Sequence, residues 1–454
     1  MEKSNQRANF SSKIGFVLAA ASSAVGLGNL WRFPYLAAKY GGGIFLLVYL
    51  VLAVTFGFAM MVTEISIGRM TKQSAWGAFQ KLDKRFAWCG VLGLIIPMII
   101  TPYYCVIGGW VMKYMTIFAV GDDKAAAKDG FFGAYVGQTL EPLIWMTIFI
   151  VLTAVVVIIG VQKGIEKAST ILMPILIALS VIISIYVVTR PGAMGGILYY
   201  IRPDFSQLNI KTVLAALGQL FYSMSLAMGI MITYGSYMKG DENLESSARQ
   251  IEFFDTLIAF LAGLMIVPAV YIFSNGDKSA MSAGAGLMFI TLPKVFFQFP
   301  GGRFIGMLFF FLVFFAALTS SISLMEAIVS VAIDKLHWSR KKATIIIMIY
   351  FIILGIPSSL GFGVWSHITP LGMDLLDFFD FVSNSFMMPI LAFGTTLYAG
   401  FFLKPKAIIA EVEKEGNEFK AKGFYSFLIR WICPIGIIGI WVTSMAASLG
   451  FMSW

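Results

Sequence analysis

"SSAVGLGNLWRFP", residues 22–34, lies inside the first long apolar stretch, which runs from about Ile14 to Ala38. A stretch of that length is long enough to cross a membrane as a helix. Yet Gly26, Gly28, Asn29, Arg32 and Pro34 sit near its middle, and each weakens a helix or places polarity in hydrocarbon. The spacing predicts a helix that breaks there. Where a helix unwinds, its carbonyls lose their i−4 donors and can face a cavity. Gly26 and Gly28 allow the dihedrals this needs. The freed N–H groups attract an anion and the freed carbonyls a cation. Hard cations take about five or six oxygen ligands, and Asn29, Ser22 and Ser23 add side-chain oxygens of that type. The same residues also suit a plain kink that packs Gly and Ser against neighbouring helices. "GLGN" alone does not choose between the two.

The rest of the chain has the same solvent in mind. Of its 454 residues, 59% are hydrophobic and 13% charged, against about 25% charged in ordinary soluble domains. Apolar runs recur at 14–38, 43–68, 88–119, 142–160, 166–188, 211–238, 249–274, 302–334, 343–362, 374–402 and 424–450. They predict an all-α membrane protein of eleven transmembrane helices, with 1–454 a single domain. With the N-terminus placed inside, 22 of the 33 Lys and Arg fall on the inner side and nine on the outer. That asymmetry orients the chain with a cytoplasmic N-terminus and an extracellular C-terminus. The net charge of +9 is thereby topological and does not call for nucleic acid. Lys3, Arg7 and Lys13 ahead of "IGFVLAAASSA" have the pattern of a signal peptide, but apolarity resumes through Trp31–Ala38. Cys89, Cys105 and Cys433 lie in apolar surroundings without metal spacing, and His337 and His367 fall in loops. No nucleophile elbow or P-loop is present, so neither an enzyme nor a nucleotide-driven pump is expected.

A second span is interrupted in a similar way, by "SMSLAMG" at 223–229. Each broken helix opens a block of five spans, 14–188 and 211–402, with 424–450 as an extra helix. Five is odd, so the blocks enter from opposite faces and form a 5+5 inverted repeat with discontinuous helices 1 and 6, the layout of many secondary transporters. Thr319, Ser320, Ser321 and Ser323 make a hydroxyl run in the eighth span, suited either to a cation or to bonding their own helix carbonyls. Arg32, Glu64, Lys113, Asp255, Glu326, Asp377 and Asp380 are the ionisable groups within spans. Lys113 is read as snorkelling outward; Arg32 and Asp380 are read as able to pair across an outer vestibule.

"AVGLGNLWRFPYLAAKYGGG" (24–43) closely resembles the first-helix signature of the neurotransmitter:sodium symporter family. The likeness continues in "EISIGR" (64–69), "YYCVIGGW" (103–110), "ITYGSY" (232–237), "FITLPKVF" (289–296) and "FFAALTSS" (314–321). It implies sodium-coupled symport of an amino acid into the cell by alternating access, in the cell membrane. One Na⁺ would be held by the Ala24 carbonyl, Asn29, Ser223, Asp255 and the substrate carboxylate. A second would take the carbonyls of Ser22, Val25 and Ala316 with the Thr319 and Ser320 hydroxyls. The substrate would lie among Ala24, Gly26, Gly28, Ile100, Tyr104, Tyr222, Ser225, Met228, Ser320 and Leu324. Arg32 and Asp380 match an outer gate, and Arg7 and Asp334 an inner one, with Phe10 where the family usually has Trp. Gly164 and Pro174 fit a segment of the fifth helix that unwinds in some relatives. Two departures bear on function. Asp255 stands where the family often has Asn, and Ala259 where a chloride-binding Ser or a Glu occurs, which predicts no chloride requirement. Ala227 replaces a Gly and trims the pocket, favouring hydrophobic amino acids, aliphatic ones first. The expected partners are a small hydrophobic amino acid, sodium and the lipid bilayer, with no nucleic acid and no nucleotide. The alternative is an ion channel or sensor with the same fold.

Overall fold

The computed structural model describes residues 8–276 and 286–448; Arg7 of the expected inner gate lies outside them. Among the described residues, nine helices are long and apolar enough to cross a membrane. A tenth candidate is the bent pair α1 (Lys13–Ala24) and α2 (Gly28–Lys39), whose halves meet at 50°. In chain order there follow α3 (Gly43–Thr71), α4 (Lys84–Val120), α5 (Leu140–Ile159) and α6 (Val161–Val188). The expected sixth span is two short helices, α7 (Ile210–Ser223) and α8 (Ile230–Tyr237). At about 1.5 Å per residue neither alone reaches across ~30 Å of hydrocarbon. Then come α9 (Leu244–Phe273), α10 (Leu287–Gln298), α11 (Gly302–Leu336), α12 (Arg340–Leu360), α13 (Leu375–Phe402) and α14 (Lys422–Ala446).

The helices are apolar on most sides because both lipid and protein surround them, and their packing depends on small residues at crossings. A Cβ on Gly68 of α3 would lie 1.9 Å from the Ile232 carbonyl oxygen of α8, and one on Gly235 would lie 2.3 Å from that of Ile65. Backbone therefore rests on backbone, the close approach that small residues allow between membrane helices. It fixes α8, and with it the second break, against α3. Proline is tolerated inside α4 because its cost is met locally. Pro102 has no N–H, so the Met98 carbonyl loses its helical donor. The Tyr350 hydroxyl of α12 donates to that oxygen at 3.3 Å.

One expectation changes. Lys113 does not stretch alone to the interface: its ammonium pairs with Glu141 at 2.5 Å and lies over the Tyr135 ring. A short helix of the 121–141 loop, Phe131–Val136, offers that ring, so the charge is neutralised before the chain needs to reach water. The stretch 189–210 contains the helix Ala193–Ile201. The polar segment 404–422 carries a short helix, Pro405–Val412.

Candidate functional site

The first break is local in origin. α1 makes its last backbone bond from the Val25 N–H to the Ala21 carbonyl, and Val25 is extended (φ −72°, ψ 107°). The next N–H groups turn to side chains: Gly26 donates to Asn29 Oδ1 (3.0 Å) and Leu27 to the Tyr104 hydroxyl (3.4 Å). The carbonyls after Ala21 no longer serve the helix. Two of them are met by hydroxyls from other elements, the Ser23 carbonyl by Ser225 and Ser320 (both 3.0 Å) and the Val25 carbonyl by Ser320 (3.2 Å). Gln219 of α7 donates to the Gly28 carbonyl at 2.9 Å and ties the two broken helices together.

Asp255 of α9 is the centre of the polar cluster. It is fully buried and accepts from Asn29 Nδ2 (2.8 Å), the Ser223 hydroxyl (2.9 Å) and the Tyr49 hydroxyl (3.0 Å). All three donors are uncharged, and among the described residues no cation pairs with this carboxylate. A buried, uncompensated negative charge is costly. Its surroundings of amide, hydroxyl and main-chain oxygen suit a hard monovalent or divalent cation better than a transition metal. Among the described residues no group of three His, Cys, Asp or Glu is placed to hold a metal. Three of the four expected first-site residues, Asn29, Ser223 and Asp255, are joined here by hydrogen bonds. The fourth, Ala24, is where α1 ends.

The second expected set gathers at the contact of α1 with α11. Thr319 donates to the Ala316 carbonyl (3.1 Å) and Ser320 to that of Val25. Ser22 sits one turn before the break and donates to Ser169 of α6 (2.8 Å). Thr319, Ser321 and Ser323 of the hydroxyl run bond carbonyls of their own helix, while Ser320 reaches across to the unwound chain.

The second break, between α7 and α8, holds Ser225, Ala227 and Gly229 at φ of +52°, +54° and +72°. Left-handed backbone at two non-glycine residues is strained unless the surroundings hold it. Glu64 of α3 does so, accepting from the Ala227 N–H at 2.7 Å. The two breaks face one another across a small cavity of about 30 Å³, well below the ~300–1,000 Å³ usual for small-molecule pockets. All of Ala24, Gly26, Gly28, Ile100, Tyr104, Tyr222, Ser225, Met228, Ser320 and Leu324 line it, joined by Ser23, Leu27 and Ile230. One end is main chain and hydroxyl; the walls are aliphatic and aromatic. The fit is tight: a Cβ on Gly26 would lie 2.6 Å from Ser320 Oγ, and one on Gly28 2.7 Å from the Tyr222 ring.

The gates are asymmetric. Arg32, Asp377 and Asp380 line a wider vestibule that shares Leu27 and Tyr222 with the cavity. Arg32 and Asp380 form no ion pair, contrary to the expected gate contact. The guanidinium lies 5.3 Å over the Tyr222 ring, while Tyr103 (3.0 Å) and Asn384 (2.5 Å) donate to Asp380. The open vestibule leaves each charge a nearer partner than the other. The opposite end is shut. Phe10 is fully buried among Phe16, Tyr234 and Tyr237, and its N–H donates to the Tyr237 carbonyl at 3.0 Å. Ser11 bonds Glu166, and Asp334 accepts from the Ser74 N–H at 2.7 Å. Gly164 lies in the π-helical first turn of α6 and Pro174 within its regular part, so this segment is wound.

Tyr49 and Gln219 escaped sequence reasoning. A lone Tyr or Gln in an apolar span carries no spacing signal, and only the fold brings each to the break.

A profile of the sodium:neurotransmitter symporter family matches residues 7–120 and 136–452. A sodium-dependent transporter of Bacillus subtilis, itself uncharacterized, is 36% identical over 438 residues, covering 94% of this chain and 96% of its own. A human sodium- and chloride-dependent GABA transporter is 26% identical over 385 residues, 74% of this chain and 64% of that one. Among solved structures, that of MhsT in complex with L-phenylalanine superposes with a TM-score of 0.87 at 37% identity. It covers 96% of this chain and 100% of the other.

Proposed function

The chain belongs to the sodium:neurotransmitter symporter family, and from that premise we propose that it carries hydrophobic L-amino acids into the cell by sodium-coupled symport. The observation that carries this reading is the small cavity between two broken helices. Its polar end lies beside the uncompensated carboxylate of Asp255, and its walls are Ile100, Tyr104, Tyr222, Met228 and Leu324. An amino acid fits that division: its carboxylate meets the N–H groups at Gly26 and Gly28 and the Tyr104 hydroxyl, its ammonium the carbonyl and hydroxyl groups near Ala24 and Ser225, its side chain the walls. Sodium held by Ala24, Asn29, Ser223 and Asp255 shares the substrate carboxylate, so each ligand completes the other's coordination and the two bind with positive coupling. A second sodium at Ser22, Val25, Ala316, Thr319 and Ser320 bridges α1 to α11. L-Phenylalanine in the similar solved structure supports a hydrophobic substrate of up to aromatic size.

The proposed topology joins α7 and α8 into one crossing. That gives eleven spans, a 5+5 inverted repeat, a cytoplasmic N-terminus and an extracellular C-terminus in the plasma membrane. The Phe10 end is then the closed inner gate and the Arg32 vestibule faces outward. Asp255 supplies the fixed negative charge beside the sodium and substrate, and the buried Ala259 offers no hydroxyl to an anion, so no chloride is required. Proteoliposomes loaded with K⁺ and diluted into Na⁺ test the whole reading. Saturable accumulation of labelled leucine or phenylalanine, abolished in choline and unchanged when gluconate replaces chloride, is expected. Uptake indifferent to sodium overturns symport, and uptake lost in gluconate overturns chloride independence.

A further inference from the structure

Outside the substrate site, a groove of about 670 Å³ lies at the Phe10 end of the bundle. It runs between the first turns of α1 and α9. Its apolar floor is Ile14, Val17, Leu18, Phe253 and Phe254, and its rim carries Ser246, Arg249 and Lys420. Ile14 is 68% and Phe253 61% exposed, large side chains left open where one face of α1 meets nothing of the protein. Lys13 stands at the same rim, its ammonium donating to the Ser246 hydroxyl at 2.9 Å. Among the described residues, neither Lys13 nor Lys420 pairs with a carboxylate. Arg249 is held in place by Glu245 (3.0 Å) and the Phe58 ring (4.4 Å). Glu245 also accepts from the Lys420 N–H at 2.9 Å, and Glu418 is the other acid at the rim. Three cations against two acids leave an excess of positive charge at the mouth of an apolar slot.

We propose that this groove holds one anionic glycerophospholipid. Its acyl chain lies along Ile14, Leu18, Phe253 and Phe254, and its phosphate sits between Lys13, Arg249 and Lys420. The chemistry is that of a cationic interfacial pocket on an anionic leaflet, with apolar area for the chain. The groove's wall is α1, the half-helix that ends in the cation-binding carbonyls, so an occupied groove props α1 against α9 and holds the Phe10 end shut. That consequence rests on the transport reading; the lipid site itself does not.

Lipid retention tests it on the full chain in detergent, without sodium or substrate, by native mass spectrometry after addition of phosphatidylglycerol or phosphatidylcholine. One phosphatidylglycerol is expected to remain at about fivefold the level of phosphatidylcholine. The K13Q/K420Q variant brings the two to parity. K335Q/K422Q removes the same charge elsewhere, at a lysine bonded to Gln80 and one paired with Glu413, and keeps the preference. Lys420→Gln alone, on an exposed side chain, gives the same direction at smaller size should the double variant not purify. Equal retention of the two lipids by the unaltered chain, or equal loss in K335Q/K422Q, overturns the proposal. Failure of sodium-driven uptake with the preference intact overturns the transport reading and leaves the lipid site standing.

Discussion

Asp255 is one residue whose setting has a consequence for the cation it would meet. Three neutral donors orient the carboxylate, and none brings a positive charge to it, so a cation entering beside it gains a negative partner in a place of low dielectric. Asp255→Asn keeps the shape and removes that charge. The sodium concentration for half-maximal substrate binding should rise by about tenfold or more, equivalent to ~1.4 kcal/mol, as read by scintillation proximity over a sodium titration. An unchanged sodium dependence would place the cation elsewhere. Gly28 tests the pocket in the same way. A Cβ there would meet the Tyr222 ring at 2.7 Å and the Ser223 backbone at 3.6 Å. Gly28→Ala therefore pushes Tyr222 into the space for substrate and should weaken amino-acid binding at least tenfold, with the thermal midpoint in detergent little changed.

Elements here are defined as much by their interruptions as by their turns. α7 and α8 are separated by backbone that two non-glycine residues adopt at positive φ, and Glu64 pins it from a neighbouring helix. Ala227→Gly removes a conformational penalty of about 1 kcal/mol. It should raise the thermal midpoint; Ala227 is not among the residues that line the cavity, so competition by tryptophan relative to valine should stay unchanged. A shift in that ratio would show that Ala227 does bound the pocket. In α4 the interruption is chemical rather than geometric. Tyr350→Phe leaves the Met98 carbonyl without the donor that Pro102 denies it, at a cost of about 1 kcal/mol. A lowered thermal midpoint with sodium and substrate affinity intact is the expected signature.

Across the whole molecule, the structure is closed at the Phe10 end and open at the Arg32 end. Spin labels on α2 and α13 outside the vestibule should draw together when sodium and substrate are added, as Arg32 and Asp380 meet over the occupied cavity, and separate when sodium is withdrawn. A distance distribution that ignores both ligands would sink alternating access by this gate. The contrast between chain and fold follows the same line. Apolar runs, basic loops and glycine-rich interruptions are local properties, so the helical membrane architecture and the break at 24–28 were legible in order of residues alone. Most of the cavity lining was named only through the family resemblance, whose motifs in α1, α4 and α11 supply those residues. The partnership of Tyr49 with Asp255, the hold of Glu64 on Ala227, the rescue of Met98 by Tyr350 and the separation of Arg32 from Asp380 were not legible. Each joins side chains far apart in sequence, with no periodicity linking them, and a donor's choice among several acceptors depends on distances that only the packed bundle sets.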